Sequence, residues 1–165
     1  SPPTPRLVVT GPSSAVSAVA GSAATLTITA KDATGAVITN YAGPYTLTWT
    51  PSGGSATTLV SGGTSFSSGV ATASVNIGGS DAGLGTFTAT DGSGSALTNG
   101  TLSFTWYPAS FTVSADSASL IAGKPFNLTV TAKDAAGTTM TVTATQQGPM
   151  MPTPMTFTLS YRQRP

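Results

Sequence analysis

The chain has no cysteine, no histidine and no glutamate, and charged residues make up only 7% of its 165 positions. Each absence removes a class of chemistry. Without cysteine there is no disulfide framework, no thiolate metal site and no cysteine nucleophile. Without histidine or glutamate, the ordinary general acids and bases reduce to five aspartates, Asp32, Asp81, Asp91, Asp116 and Asp134, and no strong base stands ready to activate a serine. Calcium takes about six to eight oxygen ligands, usually with several carboxylates, and these five are spread over distant loops. The glycine-rich pieces SGGTS and GSGS lack the lysine and the strand-to-helix setting of a phosphate loop. The expectation is no enzyme, with no catalytic, cofactor-binding or metal site. No apolar run approaches the ~18 residues that span a bilayer, and no basic-then-apolar signal opens the chain. The six basic residues, Arg6, Lys31, Lys124, Lys133, Arg162 and Arg164, are scattered at a net charge of +1, which gives no footprint for nucleic acid or an anionic membrane.

What is present is threonine, serine, alanine and glycine. Such a chain is kept in solution by hydroxyls rather than by charge, a balance that suits an extracellular or cell-surface setting. The opening SPPTPRLVVT reads as a mature or trimmed start, with residues 1–6 as an extended, proline-stiffened leader.

The dominant period is two. Apolar and hydroxyl residues alternate in LTITA, YTLTW, ATASVNI, FTA and LSFTW, as in strands buried on one face. Threonine suits the outward positions, because its branched β-carbon fits a pleated strand and its hydroxyl meets water. Glycine and proline clusters punctuate the runs, and no window holds a 3.6-residue apolar period for the length of a helix. The predicted strands are Leu7 to Thr10, Thr25 to Ala30, Val37 to Tyr41, Tyr45 to Thr50, Ala56 to Val60, Val70 to Ile77, Thr86 to Thr90 and Thr101 to Trp106. Seven or eight short strands in ~100 residues indicate an all-β, two-sheet sandwich. Tyr45, Trp49, Phe87, Phe104 and Trp106 are its expected bulky core or its seam with a neighbouring unit.

Beyond Pro108 the pattern starts again. Ala20 to Gly35 aligns without gaps on Ala122 to Gly137 with 10 identities in 16 positions, the mark of a tandem duplication. In each copy the aspartate of LTITAKDATG or LTVTAKDAAG, Asp32 or Asp134, is placed to accept backbone N–H groups in a turn, and Gly35 or Gly137 to take a positive φ. DGSG at Asp91 to Gly94 reads as a turn in the same way.

The shared pattern AGxxxxLTxTAKDAxG, followed in the first copy by NYAG (Asn40 to Gly43), resembles the bacterial immunoglobulin-like repeats of surface adhesins and exported multidomain proteins, of the invasin and filamin-like types. The resemblance implies an immunoglobulin-like sandwich over residues 1–107 and a second, incomplete immunoglobulin-like unit over 108–165. The second copy lacks Tyr-x-Gly, and the asparagine frequent after the glycine in that family is Ala36 and Thr138 here.

The first copy runs 71 residues beyond Gly35 to Trp106, whereas the chain runs 28 beyond Gly137, in two alternating runs at Thr139 to Thr145 and Met155 to Tyr161. Either the chain continues, or strands from another molecule complete this unit, with Ser1 to Thr10 as a candidate donor and Phe157 and Leu159 pointing inward. The short link Tyr107-Pro108-Ala109 predicts units that follow end to end with limited bending. The functional expectation is a non-enzymatic extracellular structural module of a surface filament, stalk or adhesin, with self-association or neighbouring domains as partners. The alternative is a carbohydrate- or protein-binding module of a larger secreted protein. Asn99 and Asn127 stand in N-glycosylation sequons.

Overall fold

The computed structural model describes residues 4–52, 57–63, 66–116 and 127–140. Among these residues ten strands follow in order: β1 Arg6–Thr10, β2 Ser17–Val19, β3 Ala24–Lys31, β4 Tyr45–Pro51, β5 Thr58–Gly63, β6 Val70–Val75, β7 Leu84–Asp91, β8 Gly100–Tyr107, β9 Ser110–Ala115 and β10 Leu128–Lys133. Two single 3-10 turns, Pro12–Ser14 and Gly79–Asp81, join them.

The first eight strands form two sheets, ordered β1-β3-β6 and β2-β8-β7-β4-β5. The first edge strand is divided between them. β1 runs antiparallel to β3, the Pro12–Ser14 turn crosses the gap, and β2 continues parallel to β8 in the other sheet. This is the order of an immunoglobulin-like sandwich, so the expected all-β architecture is the observed one.

The two inner faces differ in character. The three-stranded sheet contributes small and aliphatic side chains: Leu7, Val9, Leu26, Ile28, Ala30, Ala71, Ala73 and Val75. The five-stranded sheet contributes Tyr45, Leu47, Trp49, Phe87, Phe104 and Trp106. Large rings facing short side chains suit a gap of ~10 Å between sheets. In immunoglobulin domains that keep a disulfide, a buried tryptophan packs against it. Here, with no cysteine, Trp49 packs on Phe87 at 4.6 Å between ring centroids, and Phe104 meets Phe87 edge-on at 5.7 Å. Trp49 Nε1–H donates to the Asp81 carbonyl at 2.9 Å. Gly85 leaves room for that indole, since a Cβ there would enter the Trp49 ring.

Two predicted strands are corrected. Val37 to Tyr41 is not a strand; its one ladder contact is an isolated bridge between Val37 and Lys31. The segment carries the chain from the three-stranded to the five-stranded sheet, with Tyr41 N–H turned back onto the Ile38 carbonyl at 3.0 Å. The strand expected at Ala56 to Val60 is observed over Thr58–Gly63, where Gly62 and Gly63 pair with β4 beyond a register shift between Leu47 and Thr48; Ala56 lies outside the described residues. Sequence reading missed β2, whose three residues are too few to show a period.

β9 and β10 form a separate antiparallel pair. Ser110 faces Lys133 as Arg6 faces Lys31, so Phe111 and Val113 hold the places of Leu7 and Val9. The Ser1 to Thr10 donor reading is also corrected over Arg6–Thr10, residues 1–3 lying outside the described residues. Leu7 and Val9 are 1% and 4% exposed in the core of their own sandwich, and β1 is fully paired with β3. Of the two late alternating runs, only Thr139 and Met140 are among the described residues; Phe157 and Leu159 lie outside them.

Candidate functional site

The duplicated KDAxG stretch folds the same way twice. In the first copy, Asp32 follows β3. Its Oδ1 accepts from Thr34 N–H at 2.8 Å and Ala36 N–H at 3.0 Å, while Gly35 turns at φ +91° and donates to the Asp32 carbonyl. In the second copy, Asp134 follows β10, and its Oδ1 accepts from Ala136 N–H at 3.0 Å and Thr138 N–H at 2.8 Å, with Gly137 at φ +81°. The flanking bonds repeat as well: Ile38 N–H to Ala30 and Met140 N–H to Ala132, both at 2.9 Å. The side chain thus holds open backbone donors that no ladder reaches, which is why aspartate stands here rather than serine or alanine.

What differs is the second carboxylate oxygen. Asp134 Oδ2 accepts from Gly79 N–H at 2.9 Å, and Ala135 N–H donates to the Ala20 carbonyl at 2.8 Å. Both acceptor and donor belong to the sandwich. The seat they form is floored by glycine: a Cβ on Gly21 would lie 3.1 Å from Asp134 Cγ, and one on Gly78 would lie 2.5 Å from Asp134 Oδ2. Gly21, at φ +77°, is tied to the Ile77 carbonyl, and Ala20 N–H donates to Tyr107, the last residue of β8. Asp134 is buried, and Ala132 and Met140 belong to the same apolar cluster as the sandwich core. Only Pro108 and Ala109 separate β8 from β9. The second copy is therefore docked on the first by a loop rather than merely tethered to it.

Burial pushes the Asp134 carboxyl up, but the N–H groups of Thr138, Gly79 and Ala136 and the nearby Lys133 charge outweigh it and hold the group below its usual range. For Asp32 the Thr34 hydroxyl is the largest influence and the net direction is again down.

A second polar cluster closes the opposite end of the sandwich, where β7 finishes. Tyr41 Oη donates to Asp91 Oδ1 at 2.7 Å, and Asp91 also accepts from Ser93 N–H at 2.8 Å, Ser93 Oγ at 2.6 Å and Leu97 N–H at 3.3 Å. Burial, followed by the Asp91 contact and charge, pushes the Tyr41 hydroxyl up to about 12. Burial raises Asp91, but the hydroxyls of Ser93 and Tyr41 and the backbone donors bring it below its ordinary value. A pH profile follows with a definite sign. Asp32, Asp91 and Asp134 are depressed from 3.8, so their stabilisation is complete above that pH and is lost as pH falls through the lower folded values. Tyr41 is raised from 10.0, so its part is complete below pH 10.0 and is lost as pH rises towards about 12. Urea midpoints measured across pH should fall at both extremes, and Tyr41→Phe should remove the alkaline fall while leaving the acid one.

Among the described residues no group of three or more His, Cys, Asp or Glu side chains is placed to hold a metal, and no helix is long and apolar enough to cross a membrane. The sequon residues Asn99 and Asn127 are exposed, with Asn127 Nδ2 donating to Asp116 Oδ2 at 2.9 Å. Sequence reading marked the two aspartates and Ala20-Gly21, but it treated the glycines at 78 and 79 only as punctuation. The signal that could have found them is the aspartate itself, since one carboxylate oxygen suffices for the turn and leaves the other for a neighbour.

No family model matches the chain and no curated protein matches it, so the invasin and filamin-like resemblance rests on the quoted residues alone. Among solved structures, domains 5–6 of the surface layer protein SbsC are similar at 21% identity and a TM-score of 0.41, covering 88% of this chain and 74% of that one. Domains 4–9 of the same protein give the same identity and TM-score, covering 88% of this chain and 24% of that one. The fold assignment rests on the sheet order and register rather than on these similarities.

Proposed function

We propose that the chain is a non-enzymatic structural module of an extracellular surface assembly, with residues 1–107 as one complete immunoglobulin-like unit and 108–165 as a second, incomplete one. The observation that carries this reading is the docked joint. The repeated loop couples one unit to the next through Asp134 and the glycine seat, the work expected of a stalk or lattice component rather than of a catalyst. The hydroxyl-rich outward strand faces fit an extracellular surface.

The finer part of the proposal is that copies of the chain associate through the β9–β10 face. Phe111 and Val113 are 49% and 63% exposed where their first-copy counterparts are buried, and Val130 and Ala132 pair with them across the strands. Covering a few hundred Å² of such a face is worth several kcal/mol at roughly 25 cal/mol per Å². Sedimentation of the whole chain over a range of concentrations should reveal growing assemblies, with fibres visible by electron microscopy. Val113→Lys should shift the distribution to monomer with the aromatic near-ultraviolet signal of the first unit intact. A wild-type chain that stays monomeric at high concentration would overturn association through this face.

A further inference from the structure

The Asp134 loop is seated; the Asp32 loop, built to the same plan, is not. Among the described residues, Asp32 Oδ2 and Ala33 N–H have no hydrogen-bond partner, and these are the two positions that in the second copy bond to Gly79 and Ala20. The loops differ only at Thr34 against Ala136 and Ala36 against Thr138. Neither change touches the two seat-bonding groups.

The placement of loop and seat is directional. The Asp32 loop lies at the C-terminal end of β3, and Ala20-Gly21 lies ahead of its N-terminal end, so eight residues of strand, ~26 Å, separate them. A unit with a knob at one end and a seat at the other propagates head to tail without closing on itself.

We infer that the Asp32 loop is a second docking knob, and that its partner is another immunoglobulin-like unit joined in tandem ahead of Arg6, presenting a free backbone N–H and a carbonyl over glycines as Gly79, Ala20, Gly21 and Gly78 do. Asp32 Oδ2 accepts the N–H and Ala33 N–H donates to the carbonyl. The glycine floor selects the partner, because a side chain at either floor position fills the space the carboxylate occupies. The inference extends the tandem-unit reading and is independent of the exposed β9–β10 face, since amide exchange at Gly79 reads the one and sedimentation the other.

Two measurements test it. In the whole chain, Ala136→Thr with Thr138→Ala converts the seated loop into the first-copy sequence; the Gly79 amide should keep its hydrogen-exchange protection within about twofold. In a fusion of residues 1–109 ahead of residues 6–165, the leading Gly79 amide should become as protected as the following one, and Asp32→Ala in the following copy should abolish protection of the leading amide alone. Loss of Gly79 protection by tenfold or more in the converted chain would overturn the inference. So would a leading Gly79 that exchanges in the fusion at the same rate with and without Asp32→Ala.

Discussion

Asp134→Ala is expected to release the second copy from the sandwich while leaving the sandwich folded. The carboxylate accepts three backbone N–H bonds, two within its own loop and one across the joint, and alanine leaves all three donors without it. Hydrogen bonds to a charged group are the stronger kind, and a donor left unsatisfied costs the full desolvation of that group. The remaining joint bond, Ala135 N–H to Ala20, depends on the loop shape that Asp134 sets. Exchange of the Gly79 amide should therefore accelerate roughly ten- to hundredfold while the amides of β4 and β7 keep their protection. Asp134→Asn should also loosen the joint, because an amide that keeps its oxygen towards the loop turns its NH2 towards the Gly79 donor. Asp32→Ala in the unfused chain serves as the control, since it removes the same turn chemistry but leaves Gly79 protected. An unchanged Gly79 exchange rate in Asp134→Ala would mean that the joint is held by apolar contact alone.

Trp49→Ala is expected to cost about 3–5 kcal/mol, the usual range for deleting a buried large aromatic. Trp49 is fully buried, packs at a tilt on Phe87, donates to the Asp81 carbonyl and fills the space that Gly85 leaves open. Alanine there opens a cavity at the centre of the five-stranded sheet and orphans the Asp81 carbonyl. Against a net domain stability of ~5–15 kcal/mol, that removes from about a fifth to all of it, and the urea midpoint should fall in the same proportion. Trp106 is the informative comparison. It is equally buried, but its Nε1–H has no protein acceptor among the described residues, so Trp106→Phe removes an unsatisfied donor and loses no hydrogen bond. Its midpoint should fall less than that of Trp49→Phe. Equal losses in the two phenylalanine variants would show that ring volume alone, and not the Asp81 bond, sets the contribution of Trp49.

The fold class and most of the strands were legible in the sequence, because each of β3, β4, β6, β7 and β8 alternates apolar and hydroxyl residues over five or more positions, and a period of two has only one way to bury a single face. The sequence also determined the turns at Asp32, Asp91 and Asp134, since an aspartate two residues before a backbone donor, with a glycine close behind, is a local device that needs nothing from the rest of the chain. The remainder depended on contacts between distant parts of the chain. Val37 to Tyr41 carries the β-branched and aromatic residues of a strand, yet it crosses between sheets, because its neighbours in space are the end of β3 and the Asp91 cluster rather than another ladder. Leu7 to Thr10 suits either a strand of its own sandwich or a strand given to a neighbour, and it is committed to its own because β1 pairs along β3 and the core accepts Leu7 and Val9. The joint was the least legible feature. Asp32 and Asp134 accept the same pair of local backbone N–H bonds, and the difference between an unoccupied carboxylate oxygen and a seated one depends on Gly79, 55 residues away in sequence from Asp134. Hydrogen bonds across such a separation carry no local period or composition, so they are decided only when the sandwich brings the end of β8 and the turn before β7 to the same place.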